Sequence, residues 1–310
     1  MRILFTAGGS PGNELIFKNL QKSHEFWFAD SDIERIPLSI PLERKFEVPL
    51  VWSKDYYKKI VEICVEKKIQ ILIPGIDEEL LKMHEVFLQN KNVLLFTPSK
   101  LFISKMLDKF LCMKNLNKLD FPVPETIELE NIINIKSFPV ILKPRFGRGS
   151  RGIHVIRQAK ELKLYRDLKK LNKEKYICQS YVNGQEYTVQ ILNCKKSRTQ
   201  IIIPLKVFLK KGVTLTAEID FDDDIIKLCE KIASSYNEDY VYNIQLIKSK
   251  IDNTIKIFEI NPRFSTTTCM IPAMGIDPFT IDLSNYNQLS LKKFQGLRLN
   301  RILTNNVRKV

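Results

Sequence analysis

The run Phe258-Glu259-Ile260-Asn261-Pro262-Arg263 sets a carboxylate, an amide and a guanidinium at every second position of an otherwise apolar stretch. Alternate side chains of an extended strand share a face, so Glu259, Asn261 and Arg263 point the same way. A bare carboxylate in such a buried run would be costly, so Glu259 needs a partner. A further amide, Gln245, lies on the preceding strand-like run, and Asp252-Asn253 between the two runs predicts an antiparallel hairpin. One carboxylate and two amides suit Mg²⁺ (or Mn²⁺), with nucleotide phosphates completing its shell. Arg263 would then grip a transferring phosphoryl group. A plain Glu259–Arg263 salt bridge explains the same residues, and the spacing alone does not choose between the two.

A second constellation is Lys143-Pro-Arg-Phe-Gly-Arg-Gly-Ser-Arg-Gly152, which follows the apolar run Pro139-Val-Ile-Leu142. Gly147, Gly149 and Gly152 leave backbone N–H groups open to a ligand, and Arg145, Arg148, Ser150 and Arg151 add donors. Such a concavity fits a polyphosphate. It is not a P-loop, because G-x-x-x-x-G-K-[ST] is absent. A basic hairpin loop that only connects two strands remains the alternative.

The elements that must position these groups follow from periodicity. Residues 2–7 read as a buried strand, then a Gly-Gly-Ser-Pro-Gly turn opens a helix to about residue 22. Residues 24–32 read as a second strand, 54–68 as a helix, "IQILIPG" as a strand, 77–90 as a helix and "VLLFTP" as a short strand. This β-α alternation predicts a parallel, doubly wound sheet. A dinucleotide fingerprint would need Gly at position 7, where Ala7 stands before Gly9 and Gly12; Asp30 and Asp32 lie near the ribose-binding position. After Thr97-Pro98 the pattern changes to a helical stretch over 99–119, a hairpin around the glycine loop and a helix over 158–171. Two strand-like runs then flank the polar hinge in "CQSYVNGQEYTV", followed by a strand at "TQIIIPLKVFL" and a helix over 222–236.

The 310-residue length predicts more than one structural unit. Net charge of +14 invites a nucleic-acid reading, but the lysines are scattered without a dense basic run, so nucleic acid is not an expected partner. Six cysteines without a C-x-x-C pair suit a reducing compartment. No run approaches a transmembrane span or a signal h-region, so the expected location is the cytoplasm.

Lys109, the Lys143 strand with its glycine loop, the hinge and "Q…FEINPR" occur in the order found in the ATP-grasp superfamily. Nearly the whole chain resembles its carbamoyl-phosphate-synthetase-like branch. The resemblance implies an α/β (α+β grasp) fold: a Rossmann-like parallel-sheet domain at 1–97, then a two-lobed ATP-grasp domain at 98–310. Within the latter it implies a linker helix and small lid lobe at 98–180 and a larger catalytic lobe at 181–310. It implies that Lys109 and Lys143 bind the α- and β-phosphates and that residues 147–152 cover them. Gln179 and the backbone of Ser180, Tyr181 and Val182 would face adenine, and Glu186 the ribose. Gln245, Glu259 and Asn261 would hold Mg²⁺, and Arg263 would stabilise an acyl-phosphate. The activity implied is an ATP-dependent carboxylate–amine ligase acting on a small-molecule acid and amine, with a homodimer allowed; a small-molecule kinase on the same grasp and a non-catalytic nucleotide-sensing module are the alternatives. Lys206, Lys210, Lys211, Ser265 and Thr266 are vaguer candidates for the γ-phosphate or acceptor. Cys178, Cys269, His84 and His154 read as structural.

Overall fold

The computed structural model describes residues 1–88, 92–129, 135, 137–169, 175–280 and 283–302. The expected helices at 77–90 and 158–171 therefore extend in part outside the described residues.

Five short strands form the first sheet: β1 (Arg2–Phe5), β2 (Glu25–Asp30), β3 (Lys45–Glu47), β4 (Ile71–Ile73) and β5 (Leu94–Leu95). Their order is β3-β2-β1-β4-β5 and every pair is parallel. The connections carry α1 (Asn13–Leu20), α2 (Tyr56–Glu66) and α3 (Leu80–Phe87). Ile3, Leu4, Phe28, Leu72 and Ile73 are wholly buried, as expected where helices cover both faces of a parallel sheet. The strand order reverses between β1 and β4, which opens a crevice beyond their C-terminal ends.

The helical stretch at 99–119 is not one helix. It breaks at Asp108 into α4 (Lys100–Leu107) and α5 (Lys109–Lys118). Asp108 is extended (φ −86°, ψ 107°) and its carboxylate accepts from the N–H groups of Phe110 at 3.0 Å and Leu111 at 3.3 Å. An aspartate can satisfy those open donors better than a continued helix would, so it starts a new one. Lys109 thereby becomes the first residue of α5.

A four-stranded antiparallel sheet follows, in the order β6 (Thr126–Glu128), β9 (Tyr176–Ser180), β7 (Val140–Pro144), β8 (His154–Ile156), with α6 (Ala159–Lys169) packed on its own small core. The expected hairpin around the glycine loop is the β7–β8 pair. A six-stranded antiparallel sheet completes the fold: β14 (Ile255–Asn261), β13 (Tyr240–Ser249), β10 (Gly184–Cys194), β11 (Thr199–Lys211), β12 (Val213–Ile219) and β15 (Arg298–Asn300). The Asp252-Asn253 turn joins β13 to β14, with Asn253 in the left-handed region at φ 58°. Helix α7 (Asp223–Tyr236) buries Ile225, Cys229, Ile232 and Ala233.

The main hydrophobic core joins the two larger sheets. Phe5, Phe26 and Phe28 of the parallel sheet, Phe96 and Phe102 of the connection, and Ile191, Ile244 and Ile260 of the six-stranded sheet belong to one cluster. Phe5 meets the edge of Phe264 with ring centres 5.5 Å apart, and Phe264 stacks on Phe279 at 6.1 Å. Among the described residues no helix is long and apolar enough to cross a membrane.

Candidate active site

A cavity of about 900 Å³ lies where the three sheets face one another, and Lys109, Lys143, residues 147–150, residues 179–182, Glu186, Gln245, Glu259, Asn261 and Arg263 all line it. Strand β14 supplies the floor. Glu259 sits opposite Gln245 of β13, and Asn261 sits opposite Asn243. The next strand adds Thr188 opposite Gln245 and Gln190 opposite Asn243. Two cross-strand rows of polar groups thus run over a sheet whose other face is apolar core, as the alternation of strands dictates.

The charges interlock. Lys109 Nζ lies 3.2 Å from Glu259 Oε1 and donates to the Gly147 carbonyl at 2.6 Å. Lys143, delivered by β7, is buried; its Nζ donates to Gln179 Oε1 at 2.9 Å and to the Phe258 carbonyl at 3.1 Å. Burial pulls this ammonium down to about 8; the Glu259 carboxylate opposes that shift, and neighbouring Lys109 adds to it. Burial pushes Glu259 up, but Lys109, Lys143 and Lys210 together hold it below its ordinary value. Lys210 Nζ reaches Glu186 at 2.5 Å and Gln245 Oε1 at 3.2 Å. Three lysines therefore converge on one carboxylate, an arrangement ready for added negative charge.

The glycine loop hangs over this floor. Gly147 and Gly149 have positive φ of 116° and 70°, conformations that glycine adopts without strain, and Ser150 follows in the left-handed region at 57°. Arg148 Nε donates to Glu78 at 3.0 Å, across the cavity on the parallel-sheet side. Arg145 turns away from the cavity: it forms a two-pronged pair with Asp108 at 3.1 and 2.6 Å and reaches Glu128 at 2.7 Å. Its role is to fix the α5 N-terminus, where Lys109 sits. Arg263 donates through Nε to Asp77 and through Nη1 to the Phe264 carbonyl. The simple Glu259–Arg263 salt bridge is therefore not formed; each group has another partner.

Gln179 is engaged inside the protein. Its Oε1 accepts from Lys143, and its Nε2 donates to Thr126 Oγ1 at 3.0 Å. The N–H groups of Ser180 and Tyr181 donate to the carbonyls of Glu125 and Pro139. Lys211, Ser265 and Thr266 line the cavity, whereas Lys206 does not. Ser265 also caps the helical turn Thr266–Cys269. His84 bonds Thr97 and the Pro98 carbonyl, and His154 bonds Tyr165; both serve the fold. Cys178 and Cys269 are buried.

Ala7, Ser10 and Pro11 of the first glycine turn border the cavity, whereas Gly9 and Gly12 pack against protein. A Cβ on Gly12 would stand 2.5 Å from the Thr266 carbonyl, and one on Gly9 would stand 2.5 Å from Arg35 Cβ. Asp30 accepts from the Gly9 and Asp32 N–H groups at 2.8 and 3.2 Å, so it braces this turn.

Sequence reading missed Asp77, Glu78, Thr188 and Asn243. Thr188 Oγ1 is buried with no hydrogen-bond partner among the described residues, yet it lines the cavity. The signal for Asn243 was present: it precedes Gln245 by two, on the same strand face. No local pattern marked Asp77 or Glu78, whose partners lie 186 and 70 residues away.

A family model for the ATP-grasp domain matches residues 106–267, more than half of the chain. The chain belongs to the ATP-grasp family, whose ligases are ATP-dependent enzymes. It is 21% identical over 304 residues to a carbamoyl-phosphate synthase from Methanobrevibacter smithii, covering 88% of this chain and 78% of that protein. A D-alanine–D-alanine ligase from Petrotoga mobilis is 28% identical over 141 residues, 42% of this chain and 45% of the ligase. Among solved structures, the biotin carboxylase domain dimer of Hydrogenobacter thermophilus 2-oxoglutarate carboxylase, in complex with MgADP, ADP and bicarbonate, superposes with a TM-score of 0.69. That likeness, at 15% identity over 95% of this chain and 72% of the other, concerns the fold.

Proposed function

We propose that this chain is an ATP-dependent ligase that activates a substrate carboxylate as an acyl-phosphate and couples it to an amine or similar nucleophile. ADP and phosphate are the other products. The observation that carries this reading is the convergence of Lys109, Lys143 and Lys210 on Glu259 in one cavity with Arg263. In this reading residues 1–97 form a Rossmann-like unit, 98–180 the linker and lid lobe, and 181–310 the catalytic lobe.

The donor set fits Mg²⁺: one carboxylate, Glu259, with the amides of Gln245 and Asn261 across adjacent strands. Among the described residues no cluster of three or more His, Cys, Asp or Glu side chains exists to hold a softer or more highly charged ion. When bound, Mg²⁺ neutralises charge on the nucleotide phosphates. The chain's own work is positioning and charge compensation. Lys109 and Lys143 meet the α- and β-phosphates, and the loop at 147–152 excludes water above them. The hinge at 179–182 holds the adenine and Glu186 the ribose. A substrate carboxylate oxygen attacks the γ-phosphorus and ADP departs. Arg263 then holds the transferred phosphoryl group while the amine attacks the acyl carbon, phosphate leaves with the bonding pair, and the amine loses a proton to water.

The test is a panel of acids with ATP and hydroxylamine, read as hydroxamate together with ADP and phosphate in equal amounts. A stable phosphorylated product that resists hydroxylamine would make the chain a small-molecule kinase instead. Absence of substrate-stimulated ADP release across the panel would leave a nucleotide-binding module without turnover.

A further inference from the structure

Three consecutive acids follow β4, and each has a different destination. Asp77, Glu78 and Glu79 form one helical turn that leads into α3. Glu79 is fully buried. One of its oxygens accepts from Thr6 Oγ1 at 2.6 Å and from the N–H groups of Gly75 and Ile76 at 2.8 and 3.0 Å; the other accepts from the Tyr56 hydroxyl at 2.5 Å. Four donors, from the residue after β1, from α2 and from the backbone just before the turn, thus hold the segment that carries Asp77.

Asp77 meets Arg263 Nε, and the two side chains are only 13% and 11% exposed. Arg263 Nη1 donates to the Phe264 carbonyl at 3.3 Å. Nη2 has no protein partner among the described residues, and the side chain lines the cavity. A guanidinium is a rigid planar fork, so fixing two of its nitrogens fixes where the third one points. Without Asp77 the long side chain would be free to turn, and its strongest neighbouring charge would be Glu259, which contributes to the field on this arginine.

We infer that Asp77 is the positioning residue of Arg263: a carboxylate from the parallel-sheet unit that aims the arginine at the transferred phosphoryl group. The inference rests on the phosphoryl-gripping role proposed for Arg263. It makes the arginine's geometry depend on a residue 186 positions earlier, outside the 106–267 segment that the family model matches.

The experiment uses the full chain, MgADP and aluminium fluoride, a planar phosphoryl mimic, so the unidentified acid is not needed. Calorimetry measures MgADP affinity with and without the mimic in the native protein, Arg263→Ala, Asp77→Ala and Asp77→Asn; thermal melting monitors the fold. In the native protein the mimic should tighten MgADP by about tenfold or more. Arg263→Ala should abolish this gain, and Asp77→Ala should remove most of it while MgADP alone binds as before. Asp77→Asn, which keeps an oxygen acceptor, should restore part of it. A full gain in Asp77→Ala would overturn the inference, including when its melting temperature falls, because Asp77 would then be only a tie between units. No MgADP binding by the native protein, or no gain from the mimic, would overturn the reading of Arg263 itself and the inference with it.

Discussion

Lys143 shows how one residue's burial becomes a measurable property of the site. Burial draws its ammonium down to about 8 from the usual 10.5. The unfolded chain keeps that proton up to the higher value, so between these two pH values the folded protein binds fewer protons and gains stability as pH rises. Nucleotide phosphates reverse the balance, because they favour the charged amine. Above pH 8, nucleotide binding should therefore take up a proton, read by calorimetry as an enthalpy that changes with the buffer's ionisation heat. Lys143→Arg should lose that dependence; its absence in the native protein would remove Lys143 from the phosphates. Glu259 gives a paired expectation of opposite sign. Glu259→Gln leaves three lysines facing a neutral amide, so ATP without metal should bind as well as or better than before. With Mg²⁺ the variant should bind several-fold more weakly, since the one carboxylate of the donor set is gone. Unchanged affinity in both conditions would take Glu259 out of the metal set. These two residues were legible in the sequence because each sits in a strand where its charge violates the apolar pattern. The convergence of Lys109, Lys143 and Lys210 on Glu259 was not, since the three lysines come from separate elements.

Helix α5 owes its position to its first turn. Asp108 caps it and holds Arg145, which fixes β7 against the helix start, and Lys109 is the next residue. Asp108→Ala removes a cap worth about 1 kcal/mol and breaks the Asp108–Arg145 pair while the Arg145–Glu128 pair stays. Breaking such a partly buried pair adds a further cost on the order of 1–3 kcal/mol. The expected outcome is a lower melting temperature and weaker ATP binding, with ATP restoring part of the lost stability through mass action. If ATP affinity is unchanged, the cap does not place Lys109. Long periodic elements such as α2 and α7, and the hairpins flanked by clear turns, were readable from spacing alone. The break at Asp108 was not, because the apolar helical pattern continues on both sides; the two-residue β5 and the three-residue edge strands β3, β6 and β15 are too short for any period to register. Their pairing is decided by neighbours far along the chain.

Across the whole molecule, the parallel-sheet side reaches the cavity through Glu78, and the glycine loop answers with Arg148. Glu78→Ala should release Arg148, whose side chain is already 32% exposed. Trypsin should then cut after Arg148 and Arg151 several-fold faster in the absence of nucleotide, and MgATP should slow the cut in both proteins. Equal rates without nucleotide would show that the Arg148–Glu78 pair does not restrain the loop. The aromatic cluster has a different consequence. Phe264, the neighbour of Arg263, rests on Phe5 of the first strand and on Phe279 far downstream. A recombinant that took its first strand from a distant relative would set a foreign side chain against Phe264, next to the arginine. The ring that follows Arg263 is therefore not separable from the first strand: Phe5 and Phe264 have to be exchanged as a pair.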